Sequence, residues 1–477
     1  MYSLKKKAVL FALYVLSFSS IQCDLFYICL FYSCLEKLEE QCPNTYGSNP
    51  DGYKEVLPDF RYAKNRHTIN QTKLQQDCCK QEKRTFRFYI YELPVNFNDN
   101  LTNCEFIQPF MCDADFQYHG MGLEIFRTGE NEELSFRDTN QFSLAVIIHN
   151  KLKTNRLRTW NPDEADIFYI PVYFALLDLC NDNQTVTWNQ MSTVRELLST
   201  SSHFVNGKVH ISTLALLYIW MPGDLYLYDD IARNITFITM ESIYREDQGP
   251  LPSEIVSPYP SYGHFLPSQE RVLYTKPITA RNIFILLPVG NRNASSQREI
   301  LKQQFYVNTN LPYDKFMETS RYHKYKMLLY YTNACSQDST RNTVHWLQNS
   351  VFCLQPAGDT ETRKSLYDSI LCGCIPVIIT NMPNPYPFQT FIDYWKFSVI
   401  IPLSDIAVQH ENIYDILSNI PPDEVHSLQN NLQQIAQYMQ YSIPSEKMTI
   451  ENDALQLIFM ELSDRFQLPY DKKLHLE

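Results

Sequence analysis

The sequence predicts an α/β protein built on parallel sheets and divided into two domains. Three observations carry this. The chain has 477 residues, more than one hydrophobic core usually serves. Short apolar runs alternate with stretches of helical periodicity, the pattern of strands and crossover helices on a parallel sheet. The pattern then restarts after a proline-rich passage at Pro250, Pro252, Pro258, Pro260 and Pro267.

The N-terminus reads as a targeting segment. Lys5, Lys6 and Lys7 precede an apolar stretch from Ala8 to Ile21, and Ser17 and Ser19 suit a signal-peptidase cut. Apolar character resumes at Leu25–Leu35, so a signal anchor, with its lysines left in the cytoplasm, competes with cleavage. Both readings deliver the body of the chain to the secretory pathway, in the ER or Golgi lumen, the second as a type II membrane protein anchored by its N-terminus. We assign residues 1–23 to this signal and 24–84 to a Cys-containing stem; Cys23, Cys29, Cys34, Cys42, Cys78 and Cys79 crowd this N-terminal part. In an oxidising lumen such cysteines form disulfides. Sequons at Asn70, Asn100, Asn183, Asn234 and Asn293 fit the same compartment.

The first domain spans 85–275. Phe88–Tyr91 is a short strand ended by Pro94. A helix runs from about Gln141 to Lys153, with Leu144, Ile147 and Ile148 on one face. Asp166–Tyr173 is a buried strand, Leu197–Leu198 closes a helix, and Ile235–Thr239 is another strand. The second domain, 276–465, opens on the apolar run Asn282–Pro288, followed by Gly290 and Arg292 in a loop. Val351–Leu354 and Ile375–Ile379 are its later strands. Val425, Leu428, Leu432, Ile435 and Met439 recur at helical spacing behind Pro421-Pro422-Asp423.

Composition excludes some functions. Hydrophobic residues make up 44% and charged ones 20%, a globular balance. A net charge of −12 leaves no basic excess to displace counterions from nucleic acid, so no nucleic-acid partner is expected. Asp113-Ala114-Asp115 is a three-residue acidic match beside Cys112, too short to imply a metal.

The chemically informative stretch is 351–377, VFCLQPAGDTETRKSLYDSILCGCIPV. It reads as a buried strand, a turn at Gly358, a helix from about Asp359-Thr360 to Leu371, a terminal Gly373 and a second buried strand. A helix start behind such a loop presents unpaired N–H groups and a positive dipole end, which suit a diphosphate. Arg363 and Lys364 would neutralise its charge, and Asp368 would accept from ribose hydroxyls. The same residues also read as an ordinary helix with an N-cap at Asp359 or Thr360 and a C-terminal glycine.

This stretch resembles the signature of glycosyltransferase family 47, the exostosin-like transferases. The likeness rests on Phe352-Cys353-Leu354, Pro356, Gly358-Asp359-Thr360, Thr362-Arg363, Ser365, Asp368-Ser369-Ile370 and Gly373-Cys374-Ile375-Pro376-Val377. It extends upstream to Tyr89-Ile90-Tyr91-Glu92-Leu93-Pro94 and to Pro162–Phe168 with Pro171-Val172-Tyr173. Downstream it reaches Ile392-Asp393-Tyr394 and Lys396–Val399.

The resemblance implies a GT-B architecture, in which two Rossmann-like domains face one another and the second holds the donor. It implies an inverting transfer from a nucleotide sugar, expected to be UDP-linked, to a glycan or glycoprotein acceptor, without a metal cofactor. Gly290, Arg292, Arg298, Gly358, Asp359, Thr360, Arg363, Lys364 and Asp368 are then the donor-binding candidates. A general base is expected from the first domain, with Glu241 as the first candidate and Asp178 and Glu124 behind it. Lys364 stands where the family usually has a second arginine, and Ala357 replaces a proline or arginine. Lysine cannot form arginine's bidentate fork, so a non-catalytic glycan-binding or chaperone-like relative is the alternative.

Overall fold

The computed structural model describes residues 85–470, apart from 104–115, 130–131, 181–183, 216–230, 243–252, 268–272, 274, 291–295, 308–320, 323–326, 333–336, 381–385 and 445–451. The expected signal segment, the stem, Arg292 and Asp113-Ala114-Asp115 lie outside the described residues. Among the described residues no helix is long and apolar enough to cross a membrane.

Fourteen strands follow one another among the described residues: β1 Phe88–Ile90, β2 Glu124–Thr128, β3 Leu134–Arg137, β4 Ile167–Ile170, β5 Val209–Leu214, β6 Ile235–Thr239, β7 Glu254–Val256, β8 Gly263–Phe265, β9 Ile283–Gly290, β10 Arg321–Tyr322, β11 Met327–Thr332, β12 Ser350–Gln355, β13 Ile375–Ile379 and β14 Val399–Ile401. The first sheet has the order β1-β4-β5-β6-β7, with every neighbouring pair parallel. Its inner strands β4 and β6 are buried throughout, because crossover helices cover both faces of a parallel sheet. Helix α1, Leu144–Thr154, buries Leu144, Ile147 and Ile148 as their spacing predicts.

The second sheet runs β10-β11-β9-β12-β13-β14. Only the short edge pair β10–β11 is antiparallel. Strand β9 opens this sheet, yet β11 lies on one side of it and β12 on the other. The chain's winding therefore reverses between β9 and β12, and the crevice at their carboxyl ends is where open α/β sheets hold ligands. Together these sheets give the GT-B architecture.

A third, antiparallel sheet of β2, β3 and β8 was not legible in the sequence, since β8 joins from more than 120 residues downstream. Helix α2, Phe174–Leu179, follows β4; α3 is Gln184–Thr200, α4 Ser296–Val307 and α5 Gln337–Gln348. Helix α5 rests on the small sheet: Arg341 donates to the Ile125 carbonyl at 3.2 Å and Thr340 to Asp138 at 3.1 Å.

The helix after β12 begins later than the sequence suggested. It spans Lys364–Leu371 (α6), with Arg363 as an extended N-cap. Residues 356–363 stay in a loop because their polar groups are used elsewhere. The Gly358 amide donates to the Thr360 carbonyl at 2.7 Å, while the Thr360 and Thr362 hydroxyls leave for the first lobe. At its far end, Gly373 takes a φ of +67°. Its amide donates to Ile370 and that of Cys374 to Ser369, at 3.0 and 2.9 Å, which together form a Schellman cap. Cys374 is disulfide-bonded to Cys353 on the adjacent strand β12, and Cys372 stays a buried thiol.

Helix α7, Pro422–Ile435, buries Val425, Leu428 and Leu432. The last helix, α8 (Ala454–Phe466), falls within the segment assigned to the second domain, yet it packs on the first sheet. Phe459 meets Phe86 and Phe88 with ring centroids 5.4 and 5.8 Å apart. At its start the buried Asp453 pairs with Lys151 of α1 at 2.8 Å.

Candidate active site

The carboxyl ends of β9 and β12 converge on the loop 356–363. Helix α4 follows β9 and clamps that loop through its first turn. Gln297 accepts the Ala357 amide at 3.0 Å, and Arg298 Nε donates to the Ala357 carbonyl at 3.1 Å. Both contacts use backbone atoms, so the exchange of a larger residue for alanine at 357 leaves the clamp intact. Gly358 sits between two arginines: a Cβ there would lie 3.0 Å from Arg298 Nη2 and 3.1 Å from Arg363 Cδ.

Arg363 is held by carbonyls and by Gln355. It donates to Pro288 O of β9 at 3.2 Å and to Gln355 Oε1 at 3.0 Å. Gln355 is itself fixed by Ser365 and Ser369 at 2.9 and 2.8 Å; sequence reading missed this residue. The Nε–H of Arg363 is buried without a partner. Burial, and then Arg298 beside it, hold the Arg363 guanidinium down to about 9. Lys302, one turn beyond Arg298, is also buried. A buried arginine lowered by a neighbouring cation has the chemistry that suits an anion.

Lys364 and Asp368 point elsewhere. The ammonium lies 3.0 Å from Asp368 Oδ2 and 2.8 Å from the centre of the Tyr262 ring. Asp368 also accepts the Tyr262 amide at 2.8 Å. Burial holds the lysine down to about 8 and raises the carboxyl, outweighing the pairing at both ends. The pair thus lies against the first lobe's Tyr262.

Glu241 enters from the first lobe, two residues beyond β6, and is 8% exposed. Its Oε1 accepts from the hydroxyls of Thr360, Tyr259 and Thr362, the last at 3.0 Å. Its Oε2 is buried with no partner. Burial raises the carboxyl, against the lowering effect of the three hydroxyls. Of the predicted residues, then, Arg298, Gly358, Thr360, Arg363 and Glu241 come together, with Asp359 in the same loop. Gly290 ends β9 with open space beside its Cα.

The other two carboxylates lie apart. Glu124 belongs to β2 of the small sheet and accepts from Arg127, Ser135 and Arg137 at 3.0, 2.8 and 3.2 Å. Burial would raise its carboxyl, but these partners outweigh it and hold it low. That is the chemistry of a structural anion. Asp178 lies on α2, where burial raises it, and among the described residues it makes no hydrogen bond to the Glu241 cluster. No three His, Cys, Asp or Glu side chains among the described residues are grouped to hold a metal ion.

Two parallel α/β lobes that meet at the carboxyl ends of their strands, one offering cations and the other a buried carboxylate, have the build of a GT-B glycosyltransferase. The chain belongs to the exostosin family: the Exostosin GT47 domain matches residues 82–416. It is 26% identical over 390 residues to the probable xyloglucan galactosyltransferase GT15 of Arabidopsis thaliana, covering 75% of this chain and 77% of that one. It is 26% identical over 358 residues to the xyloglucan-specific galacturonosyltransferase 1 of the same plant, covering 69% and 49%. Among solved structures it is similar to Anabaena HepE in complex with UDP, with a TM-score of 0.34 and 9% identity over 80% of this chain and 100% of that one.

Proposed function

We propose that the protein transfers a sugar from a UDP-linked donor to a glycan hydroxyl, with inversion, in the secretory pathway. The observation that carries the reading is the pairing of Arg298 and Arg363 around Gly358 at the switch point, opposite Glu241. The diphosphate binds over Gly358, where the unmatched Arg363 Nε–H and the Arg298 guanidinium meet the charge that grows on the leaving group. Glu241 Oε2 takes the acceptor proton as that hydroxyl attacks the anomeric carbon from the opposite face. A single displacement inverts the centre. For Asp368 to reach the ribose it must exchange Lys364 for the sugar's hydroxyls.

The named activities of the relatives make xyloglucan the first acceptor to test. The secretory location rests on the Cys353–Cys374 disulfide and on the exposed sequon residues Asn100 and Asn234. The deciding experiment offers UDP-hexoses and a xyloglucan oligosaccharide to the full-length protein and reads product anomeric configuration by NMR. Transfer with inversion supports the reading. Absence of both UDP binding and transfer overturns it.

A further inference from the structure

Beyond the arginines the interlobe surface turns acidic. Glu361 stands on the same loop, between Thr360 and Thr362, at the carboxyl end of β13, where Thr380 donates to it at 3.5 Å. It lies close enough to Glu241 and to Tyr386 for its charge to act on both. Among the described residues no lysine or arginine is ion-paired with either carboxylate.

The same place is poor in hydrogen-bond partners. Glu241 Oε2, Thr239 Oγ1, Tyr367 OH and Tyr386 OH are all buried and unmatched. Glu241, Tyr367 and Tyr386 form one neighbourhood. Tyr259 donates to Glu241, and its ring lies 6.0 Å from that of Tyr367. Tyr367 in turn feels the charge of Glu241 and neighbours Tyr386. Buried polar atoms are nearly always paired, so three unmatched ones together point to a hydroxyl-bearing guest. Carboxylates only accept, whereas tyrosine hydroxyls both donate and accept. That combination suits the hydroxyls of a sugar ring.

We propose that Glu361, Tyr386 and Tyr367 recognise the hydroxyls of an uncharged transferred sugar beside Glu241, and that the carboxylates of Glu361 and Glu241 exclude hexuronates. The inference rests on the nucleotide-sugar reading above and deepens it. A uronate would bring a third negative charge beside two that no described lysine or arginine pairs with, and such like-charge contacts reject ligands strongly.

The test is calorimetric titration of the full-length protein with UDP, UDP-galactose and UDP-galacturonate, for the wild type, Glu361→Gln and Tyr386→Phe. We expect the wild type to favour the neutral sugar by at least ~30-fold. Glu361→Gln should narrow that ratio at least ~5-fold. Tyr386→Phe removes one hydroxyl and should weaken UDP-galactose by ~5-fold or more. UDP alone should bind all three proteins within about twofold. Equal binding of the two sugars by a wild type that binds UDP, or a ratio untouched by Glu361→Gln, overturns the proposal while leaving the donor site standing. Failure of the wild type to bind UDP overturns the donor site, and the proposal with it.

Discussion

Thr362, on the loop after β12, donates its hydroxyl to Glu241, on the loop after β6, across 3.0 Å. Thr360 and Tyr259 donate to the same carboxylate oxygen. One lobe's carboxylate is thereby fixed by the other lobe's loop, so the proposed base and the proposed diphosphate site are built as one unit. Three donors on one oxygen also leave the second oxygen as the only one able to take a proton from an incoming hydroxyl.

Glu241→Gln keeps the shape and removes the base. We expect kcat to fall ~10²- to 10⁴-fold with UDP affinity nearly unchanged; an unaltered kcat would reduce Glu241 to a structural link. Stability supplies an independent readout. Burial raises the carboxyl of Glu241, so the folded protein keeps its proton to higher pH than the unfolded chain does. Folding is then favoured at low pH, and that advantage is lost as pH climbs from the ordinary carboxylate range, about 4.3, through the raised value. The glutamine variant cannot titrate there. Its melting temperature relative to wild type should therefore rise with pH over this window.

Much of this was legible beforehand, and the remainder has physical reasons. Ile235–Thr239 and Ile375–Ile379 form strands at the predicted limits, because short runs rich in β-branched residues and bounded by turn residues have few alternatives in a parallel sheet. Motif and resemblance single out Arg298, Gly358 and Arg363, and Glu241 stands out by its place just after a strand of the first domain. The start of α6 was not legible, since Thr360 and Thr362 bond to a residue some 120 positions away. Local propensity carries no such information. Lys364, read as a phosphate ligand, lies over the Tyr262 ring, a contact that no motif announces. Gln355, Tyr259 and Tyr386 carry no motif at all and emerge only from packing.

Arg298→Gln should weaken UDP binding ~10- to 100-fold, the worth of one charge-assisted contact. The guanidinium is buried and also donates to Ala357, so circular dichroism should accompany the calorimetry. Retained fold with unchanged affinity would remove Arg298 from the diphosphate site.

Lys364 and Asp368 form a buried pair in which burial works against both charges. Such a pair adds little net stability, but losing one member strands the other. Lys364→Met alone should cost ~3–5 kcal/mol. Lys364→Met with Asp368→Asn, which still accepts the Tyr262 amide, should cost clearly less than the sum of the single changes. A chemical-denaturation cycle measures the coupling, and additivity would show that the two side chains do not act together.

Two glycines of the same segment should respond in opposite ways to alanine. At Gly373 the φ of +67° already disfavours any side chain, and a Cβ would fall 2.3 Å from Thr275 Cγ2. Gly373→Ala should therefore destabilise by well over ~1 kcal/mol, read as a lowered denaturation midpoint. At Gly358 the backbone is unstrained, and the nearest atoms, 3.0–3.2 Å away, belong to the Arg298 and Arg363 side chains, which can move. Gly358→Ala should leave the midpoint nearly unchanged and weaken UDP binding by displacing both guanidiniums from the crevice. If UDP affinity survives that substitution while the fold stays intact, the diphosphate does not lie over Gly358, and the arginines serve only to hold the loop.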